Sequence, residues 1–535
     1  MKKINLIFIL LLLSHFSNAQ WQWAKQLGGV ENDAPNIKVT DSNLYVGGNF
    51  IFNCHLDSTI LVSNGYNDWF IAKYDLTGTN RIWLKQIGNN NSPTKLEEGF
   101  VSYITDSALY CVGQFYNTLW IDGLSITSAG GADAFVAKLD LNGNCIWLKR
   151  AGGLLDDYAG NVAIDSYGTI YWSELIYSNS GTIDGVGLLK GNSLIKLDGN
   201  GNVLSVINNF VQGGYTLEVK IIDDLLFFTG ETENDTVIVL TDTLISNNVT
   251  DGLLAKTDLM GNLIWAKRFG GPTTNDGAIW LAIDANRNLY LTGDYTDSLI
   301  IDSNFLFNSN QDMYLAKFDS SGINQWIRGS HSTGISGAYA DGIAMDTEGK
   351  FYITGSFSGS AQFGGFNLST TNVQDMFLAR YDENGNCIGV KNFGSARGFL
   401  VRITSSNEIF VCGDFENTVT IGGTTFTSYG MEDGFIAKAD AITTIDEGQR
   451  LSNLDLLIYT NPNQGTFNIK VPESVATFKN AWLLIYDASG KEIARFSLDE
   501  SNENPHFDIS KSARGLYTVK LIQGDKSYSG KLIVQ

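Results

Sequence analysis

The chain has 535 residues, 43% hydrophobic and 17% charged, with 57 glycines against 6 prolines. That composition is globular and rich in turns, with enough length for a large core and a small second domain. A formal net charge of −21 opposes binding to nucleic acid or anionic lipid and favours solubility or cationic partners.

Residues 1–19 read as a signal peptide: Lys2 and Lys3, the apolar run Ile4–Leu13, then Ser17-Asn18-Ala19. Cleavage between Ala19 and Gln20 removes both lysines and leaves a net charge of −23. No later stretch is apolar for long enough to span a bilayer. A soluble chain exported through the periplasm, with no membrane span, is expected.

Residues 20–440 repeat one wording seven times. The clearest copy is DGLLAKTDLMGNLIWAKRFGG (Asp251–Gly271). Alternation in Leu253, Ala255 and Thr257 suits a strand, Asp258–Gly261 a hairpin turn, and Asn262–Phe269 a second strand. Other copies begin at Asp68, Asp133, Gly191, Asp312, Asp375 and Asp433, at steps of 65, 58, 60, 61, 63 and 58 residues. A second hairpin lies upstream, as in GAIWLAIDANRNLYLTGDY (Gly277–Tyr295), and its second strand recurs from Asn43, Ala108, Thr169, Leu225, Asn288, Lys350 and Glu408. Each unit is therefore strand a, strand b, a variable segment, strand c and strand d, which is one propeller blade. The last copy stops at Asp440 without strand d. Trp21–Gly29 (WQWAKQLGG) matches Ile264–Gly271 and supplies it. The expectation is an all-β, seven-bladed propeller closed by the N-terminal strand.

Ala441–Asn453 breaks the repeat and reads as a linker. Residues 454–535 carry strands separated by Asn-Pro-Asn, Ser-Gly, Arg-Gly and Gly-Asp turns, a small β-sandwich.

Two resemblances follow from these residues. The repeat wording IDxxGxxYxTG resembles the seven-bladed β-propeller repeat family of secreted bacterial proteins. The tail resembles the type A C-terminal sorting domain of the type IX secretion system, through Asn461, Pro462 and Gly465, then Gly490, then Gly515 and Tyr517, then Lys531 in the closing strand. The family's usual proline before Asn-Pro is Thr460 here. The resemblance implies a Bacteroidota-type source, the type IX machinery as a partner, and a product released or held at the cell surface.

Chemistry is sparse. The mature chain has three histidines, His55, His331 and His506, and no GxSxG, HExxH or phosphate loop. The DxxGNxxW hairpin resembles the tryptophan repeat of quinoprotein dehydrogenases, but no adjacent cysteines accompany it. Trp23, Trp83, Trp147, Trp265 and Trp326 are expected to pack blade on blade. DGNGN and DENGN are fragments of a calcium loop without its other ligands, and turn chemistry accounts for them. Five cysteines, Cys54, Cys111, Cys145, Cys387 and Cys412, are expected to be free thiols. Strand c carries Lys73, Lys138, Lys196, Lys256, Lys317, Arg380 and Lys438, expected to pair with turn acids and cover apolar surface. No cofactor, metal or catalytic residue is expected.

Four d–a connections place an acid at one register: Asp33, Glu98, Asp157 and Asp276. With Phe100, Tyr158 and Trp280, these are the candidate ligand site at the channel mouth, on the face bearing the b–c and d–a loops. The competing expectation is that each acid caps backbone amides at the start of strand a. The function expected is a monomeric, non-enzymatic exported binding or adhesion protein, with a glycan or protein ligand. The alternatives are a secreted glycan or peptide hydrolase or lyase, and a structural surface component.

Overall fold

The computed structural model describes residues 21–29, 35–88, 98–245, 250–271, 276–277, 280–334, 336–442, 449–450, 454–455, 457–459, 463–470, 481–487, 491–498, 506–523 and 526–534. Among these there is no helix, and strands form seven antiparallel units of four, in the order a–b–c–d, followed by a two-sheet tail.

The units are Pro35–Val39, Asn43–Leu56, Thr59–Asp75 and Arg81–Ile87 in blade 1, and Glu98–Ile104, Ala108–Phe115, Asp133–Asp140 and Cys145–Ala151 in blade 2. Blade 3 has Tyr158–Ile164, Ile170–Ile176, Gly191–Leu197 and Val203–Ile207. Blade 4 has Gly214–Ile222, Leu225–Thr232, Gly252–Asp258 and Leu263–Phe269. Trp280–Ile283, Leu289–Ile301, Asn304–Phe318 and Asn324–Ser332 make blade 5. Ala338–Met345, Phe351–Phe357, Asp375–Tyr381 and Cys387–Asn392 make blade 6. Blade 7 takes Arg397–Ile403, Ile409–Ile421 and Thr424–Ala439 from the end of the repeat and Trp21–Gly28 from its start. Trp23 stands opposite Lys438, and Leu27 opposite Gly434. Each strand a neighbours the next around a ring, and blade 7's neighbours blade 1's.

Strands b and c are buried on both faces, as in Ala108–Phe115 and Gly252–Asp258. The alternation expected at Leu253–Thr257 is absent, because each sheet is covered by a blade on either side and both sets of side chains meet apolar neighbours. The seven b–c segments are also more regular than expected. Each holds a hairpin, for example Thr118–Ile121 with Leu124–Thr127, turning at Asp122-Gly123 with both φ positive. These hairpins lap onto the preceding blade. Leu27 pairs with Leu56, His331 with Gln362, and Gly152 with Thr182.

The repeat wording is the wording of the seam between blades. Blades 3 and 6 have Ser205 and Gly389 at the strand-d tryptophan position. In the five blades whose strand d carries the tryptophan, its indole lies on the glycine of the next blade's c–d turn: Trp23 on Gly78, Trp83 on Gly143, Trp147 on Gly201, Trp265 on Gly322 and Trp326 on Gly385. These glycines have φ between 69° and 85°, and a Cβ there would strike the ring. Trp83 and Trp147 also donate their indole N–H to the turn carbonyls of Leu141 and Gly199. Burial of each indole contributes about 2–3 kcal/mol. Two positions on, the strand-d lysines reach the next hairpin's turn acid: Lys25 to Asp57, Lys85 to Asp122, Lys149 to Asp184 and Lys267 to Asp302.

The strand-c cations belong to the same seam. All seven lie over the strand-b aromatic of their own blade, at 5.1 to 5.6 Å. Lys73, Lys138, Lys196 and Lys256 then donate to carbonyl oxygens of the next c–d turn, at Leu141, Gly199, Leu259 and Ser320. Among the described residues, turn acids, the expected partners, form ion pairs only with Arg380 (Asp346) and Lys438 (Glu408) of these cations. The carbonyls win because a c–d turn closed by Asp and Gly already uses the Asp side chain on its own amides.

None of the five cysteines is in a disulfide. Ile442 is buried in the blade 7 core, and its carbonyl accepts from Arg380. The chain thus contributes to the propeller two residues beyond the expected boundary, and Gln449–Arg450 pairs with the blade 6 hairpin. The tail is a β-sandwich of a five-stranded and a three-stranded sheet over one core that includes Phe467, Leu483, Val519 and Tyr528.

Candidate functional site

The end of the ring bearing the d–a connections carries two arcs of polar and aromatic side chains. The first runs through blades 2 to 4. Tyr116 lies near Glu98, Asp156 and Tyr158, and Tyr177 near Glu233 and Tyr158. Tyr215 feels Glu231, Glu233 and Tyr177. Tyr158 and Tyr177 are 41% and 38% exposed, with ring centroids 5.8 Å apart, edge to face. These tyrosines come from the ends of strand b and the starts of strand a; Tyr158 and Tyr177 are exposed and Tyr116 and Tyr215 half-buried.

The second arc is carboxyl groups in blades 4 to 7. Glu231, Asp294 and Asp414 directly follow the strand-b glycine of their blades (Gly230, Gly293 and Gly413), and Asp341 occupies the bulge of blade 6 strand a, between Ala340 and Gly342. Burial raises the pKa of Asp341 to about 7, helped by Asp294 and Asp414 and opposed by Arg397. Burial likewise lifts Asp414 to about 6 against the pull of Arg397, and raises Asp294 and Glu231. Local partners orient each group. Tyr215 donates to Glu231, and Gln311 to Asp294 while accepting from Tyr339 at 2.9 Å. Arg397 spans Asp414 and Glu432, the second at 2.8 Å. A cleft lined by Val373, Gln374, Arg397, Asp414, Glu416 and Glu432 opens beside it.

The acids singled out from the sequence have other places. Asp33 lies outside the described residues. Glu98 joins the tyrosine arc, accepting from Gln114 at 3.1 Å, with its pKa raised by burial. Asp157 is buried and caps amides: its carboxylate accepts from the N–H groups of Gly153, Tyr177 and Ser178 and from the Ser178 hydroxyl. Asp276 is buried in the same way on Gly271 and Thr296, with its pKa pushed up to about 7 by burial. Both are capping groups beneath the loops and neither is offered to a ligand, which corrects the expected site. Crowding by the buried strand-c carboxylates beside them explains the Gly-Gly that ends strand d. A Cβ on Gly152 would lie 2.6 Å from Asp133 Oδ1, and one on Gly270 would lie 2.0 Å from Asp251 Oδ1. Trp280 is inside the ring, under the Arg402 guanidinium at 5.9 Å, and not at the mouth with the acids.

The acids of strand b were the residues missed. Their signal is the position after the last glycine of strand b, which reads Asn49, Gln114, Glu231, Asp294, Ser356 and Asp414 in six blades. Blade 3 departs again: Glu174 replaces that glycine, is fully buried near Asp157 and Asp133, and has its pKa raised well above the usual range by burial. Among the described residues no group of three or more His, Cys, Asp or Glu is arranged to hold a metal ion.

In the tail, Gly465 has φ of 100°, and a Cβ there would sit 2.4 Å from the Ser510 backbone. Tyr517 is buried and donates to the Ala513 carbonyl, Gly515 pairs with Val534, and Lys531 lies opposite Thr518. Asn461, Pro462, Gly490, Ala19 and Gln20 lie outside the described residues.

Comparison with known proteins bears on both parts. An uncharacterized WD repeat-containing protein of Acanthamoeba polyphaga mimivirus is 23% identical over 244 residues, 41% of this chain, which spans only 15% of that protein. Solved structures that are similar include the Dos1 propeller (10% identity, 77% of this chain and 94% of that one, TM-score 0.37). They also include the WD40 β-propeller domain of Doa1 (11%, 64% and 94%, 0.27) and a luciferin-regenerating enzyme (11%, 64% and 92%, 0.29). Among the described residues no helix is long and apolar enough to cross a membrane. Residues 457–535 match the secretion system C-terminal sorting domain family, and this tail makes the chain a secreted or cell-surface protein with the type IX machinery as its export partner.

Proposed function

We propose that this exported propeller is a glycan-binding protein that holds a polysaccharide across the face bearing the d–a connections. The observation that carries the reading is the run of Tyr116, Tyr158, Tyr177 and Tyr215 continued by Glu231, Asp294, Asp341 and Asp414 on one end of the ring. Tyrosine rings offer flat apolar faces to the C–H faces of sugars. Sugar hydroxyls both donate and accept. Carboxyl groups that titrate near pH 6 to 7, such as Asp414 and Asp341, present both forms to them at neutral pH. The remaining negative charge excludes acidic polymers, so a neutral or basic glycan is the class favoured.

The test is a glycan array probed with the full chain, followed by titration of any hit. Tyr158→Ala with Tyr177→Ala should weaken binding at least about tenfold, a loss of about 1.4 kcal/mol. Retention of no glycan, or equal retention by the double variant, contradicts the reading. Depolymerisation of the bound glycan would replace a binding protein with a polymer-degrading enzyme.

A further inference from the structure

Near the end of strand a that leads into the a–b turn, one register holds Lys38 in blade 1, Lys220 in blade 4 and Arg402 in blade 7. Tyr103, Ala163, Ala282 and Ala344 occupy it in the others. Blades 7 and 1 are neighbours and their innermost strands touch, so Lys38 and Arg402 lie side by side. Blade 4 lies across a seven-membered ring from that junction. Lys38 nonetheless feels Arg402, Glu218 and Lys220 together, so the four charges converge inside the channel.

Their partners are unequally shared. Glu218 pairs with Lys220 at 3.1 Å and accepts the Leu281 N–H at 2.7 Å, while Lys220 donates to the Leu281 carbonyl. Both are thereby tied to blade 5. Arg402 has the Val401 carbonyl at 2.9 Å and the Trp280 ring. Among the described residues neither Arg402 nor Lys38 makes an ion pair with a carboxylate. Burial, reinforced by Arg402, lowers the pKa of Lys38 to about 7, and burial lowers that of Arg402. Two adjacent, desolvated cations with one carboxylate already engaged are unfavourable by themselves. In a chain of net charge −21, with acids available at many positions, that arrangement calls for an anion from outside.

We propose that Lys38 and Arg402 form a seat for an oxyanion, a carboxylate or phosphate group, inside the channel. The guanidinium offers paired N–H groups matched to two oxygens, the ammonium a third donor, and Trp280 one wall. This site is separate from the glycan face at the other end of the strands, and either can fail without the other.

The experiment is calorimetric and thermal-shift titration of the full chain with inorganic phosphate and, separately, acetate, at ionic strength held constant with sodium chloride. The native chain should show a saturable rise in Tm and binding heat with at least one of them. Lys38→Met keeps the stem and removes a charge that is costly to bury, so its Tm without anion should be equal or higher. Its affinity should fall at least tenfold. Response to phosphate alone assigns a phosphate seat, and response to acetate a carboxylate seat. No saturable response to either anion overturns the proposal. So does an equal response in Lys38→Met, which would mean an adventitious ion only.

Discussion

At the seam, each strand-c cation lies over an aromatic ring of its own blade, and most reach a turn of the next. In the channel, Lys38 and Arg402 sit beside one another with no carboxylate paired to them among the described residues. The residue types are the same and the chain is the same; the difference is repetition. A position filled alike in every blade is satisfied by its neighbour blade, because each interface reuses the same geometry. A position filled in only some blades need not find such a partner: Lys220 and Glu218 hold Leu281 of blade 5, but Lys38 and Arg402 pair with no carboxylate among the described residues, and their chemistry points toward the channel. The tyrosine and carboxyl arcs of the d–a face are of that second kind, and so is the cation pair.

The largest way to break this comparison is to remove a member of the seam. Deleting Trp21–Leu27 strips strand d from blade 7, with Trp21 and Leu27 both buried. It should cost at least about 4 kcal/mol and expose a strand edge, read as a lower Tm and aggregation. A smaller test separates ring contact from backbone strain. Gly322→Ala places a Cβ 2.9 Å from the Trp265 ring at φ of 81°, whereas Gly349→Ala, at φ of 74°, meets nothing within 4 Å. The second should lose about 1 kcal/mol from the left-handed backbone alone, and the first about 1–3 kcal/mol more from overpacking. Equal losses in chemical denaturation would remove the indole from the account.

The unrepeated acids predict a pH dependence opposite to the usual one for carboxylates. Folded Asp341 keeps its proton up to about pH 7, and an unfolded aspartate loses it near 3.8. Between those values the folded chain binds more protons, so this group's contribution to stability falls as pH rises from about 4 to about 7. Asp276, lifted to about 7, and Asp414, lifted to about 6, act in the same sense. Asp341→Asn should flatten the decline, by up to roughly 4 kcal/mol across that window. An unchanged slope in thermal melts from pH 4.5 to 7.5 would show that the carboxyl arc is ordinary surface. The smallest effect belongs to the rim of the seam. Asp184→Asn breaks the exposed Lys149 pair and should cost about 0–1 kcal/mol, less at high salt.

Much of the fold was legible because a blade is written seven times. The a–b and c–d hairpins, the missing strand d and its N-terminal replacement followed from Asp-x-x-Gly spacing and from Trp23-Ala24-Lys25. The seam partners were not legible, since Lys73 and Leu141 lie 68 positions apart in neighbouring blades and no local pattern links them. The d–a acids were found by register, but which of the two expected roles each plays was not legible: Asp157 and Asp276 cap amides, while Glu98 joins the tyrosine arc. Position along the strand was readable, but whether a carboxylate turns inward to amides, as Asp157 does, depends on the loop closing over it. Glu231, Asp294 and Asp414 were visible as the variable residue in an otherwise fixed strand b, a signal that carries meaning only once the fixed residues are known to be the seam.

The most direct test of the distinction sets one variant of each kind against the same ligand. For a glycan found on the array, Tyr177→Ala and Trp83→Phe are compared by titration calorimetry and thermal melting, with affinities taken per folded molecule. Tyr177→Ala should lose most of its binding at an unchanged Tm, and Trp83→Phe should lower Tm with affinity intact. Full binding by Tyr177→Ala, or loss of affinity by folded Trp83→Phe, would contradict the assignment of unrepeated positions to function and repeated ones to the seam.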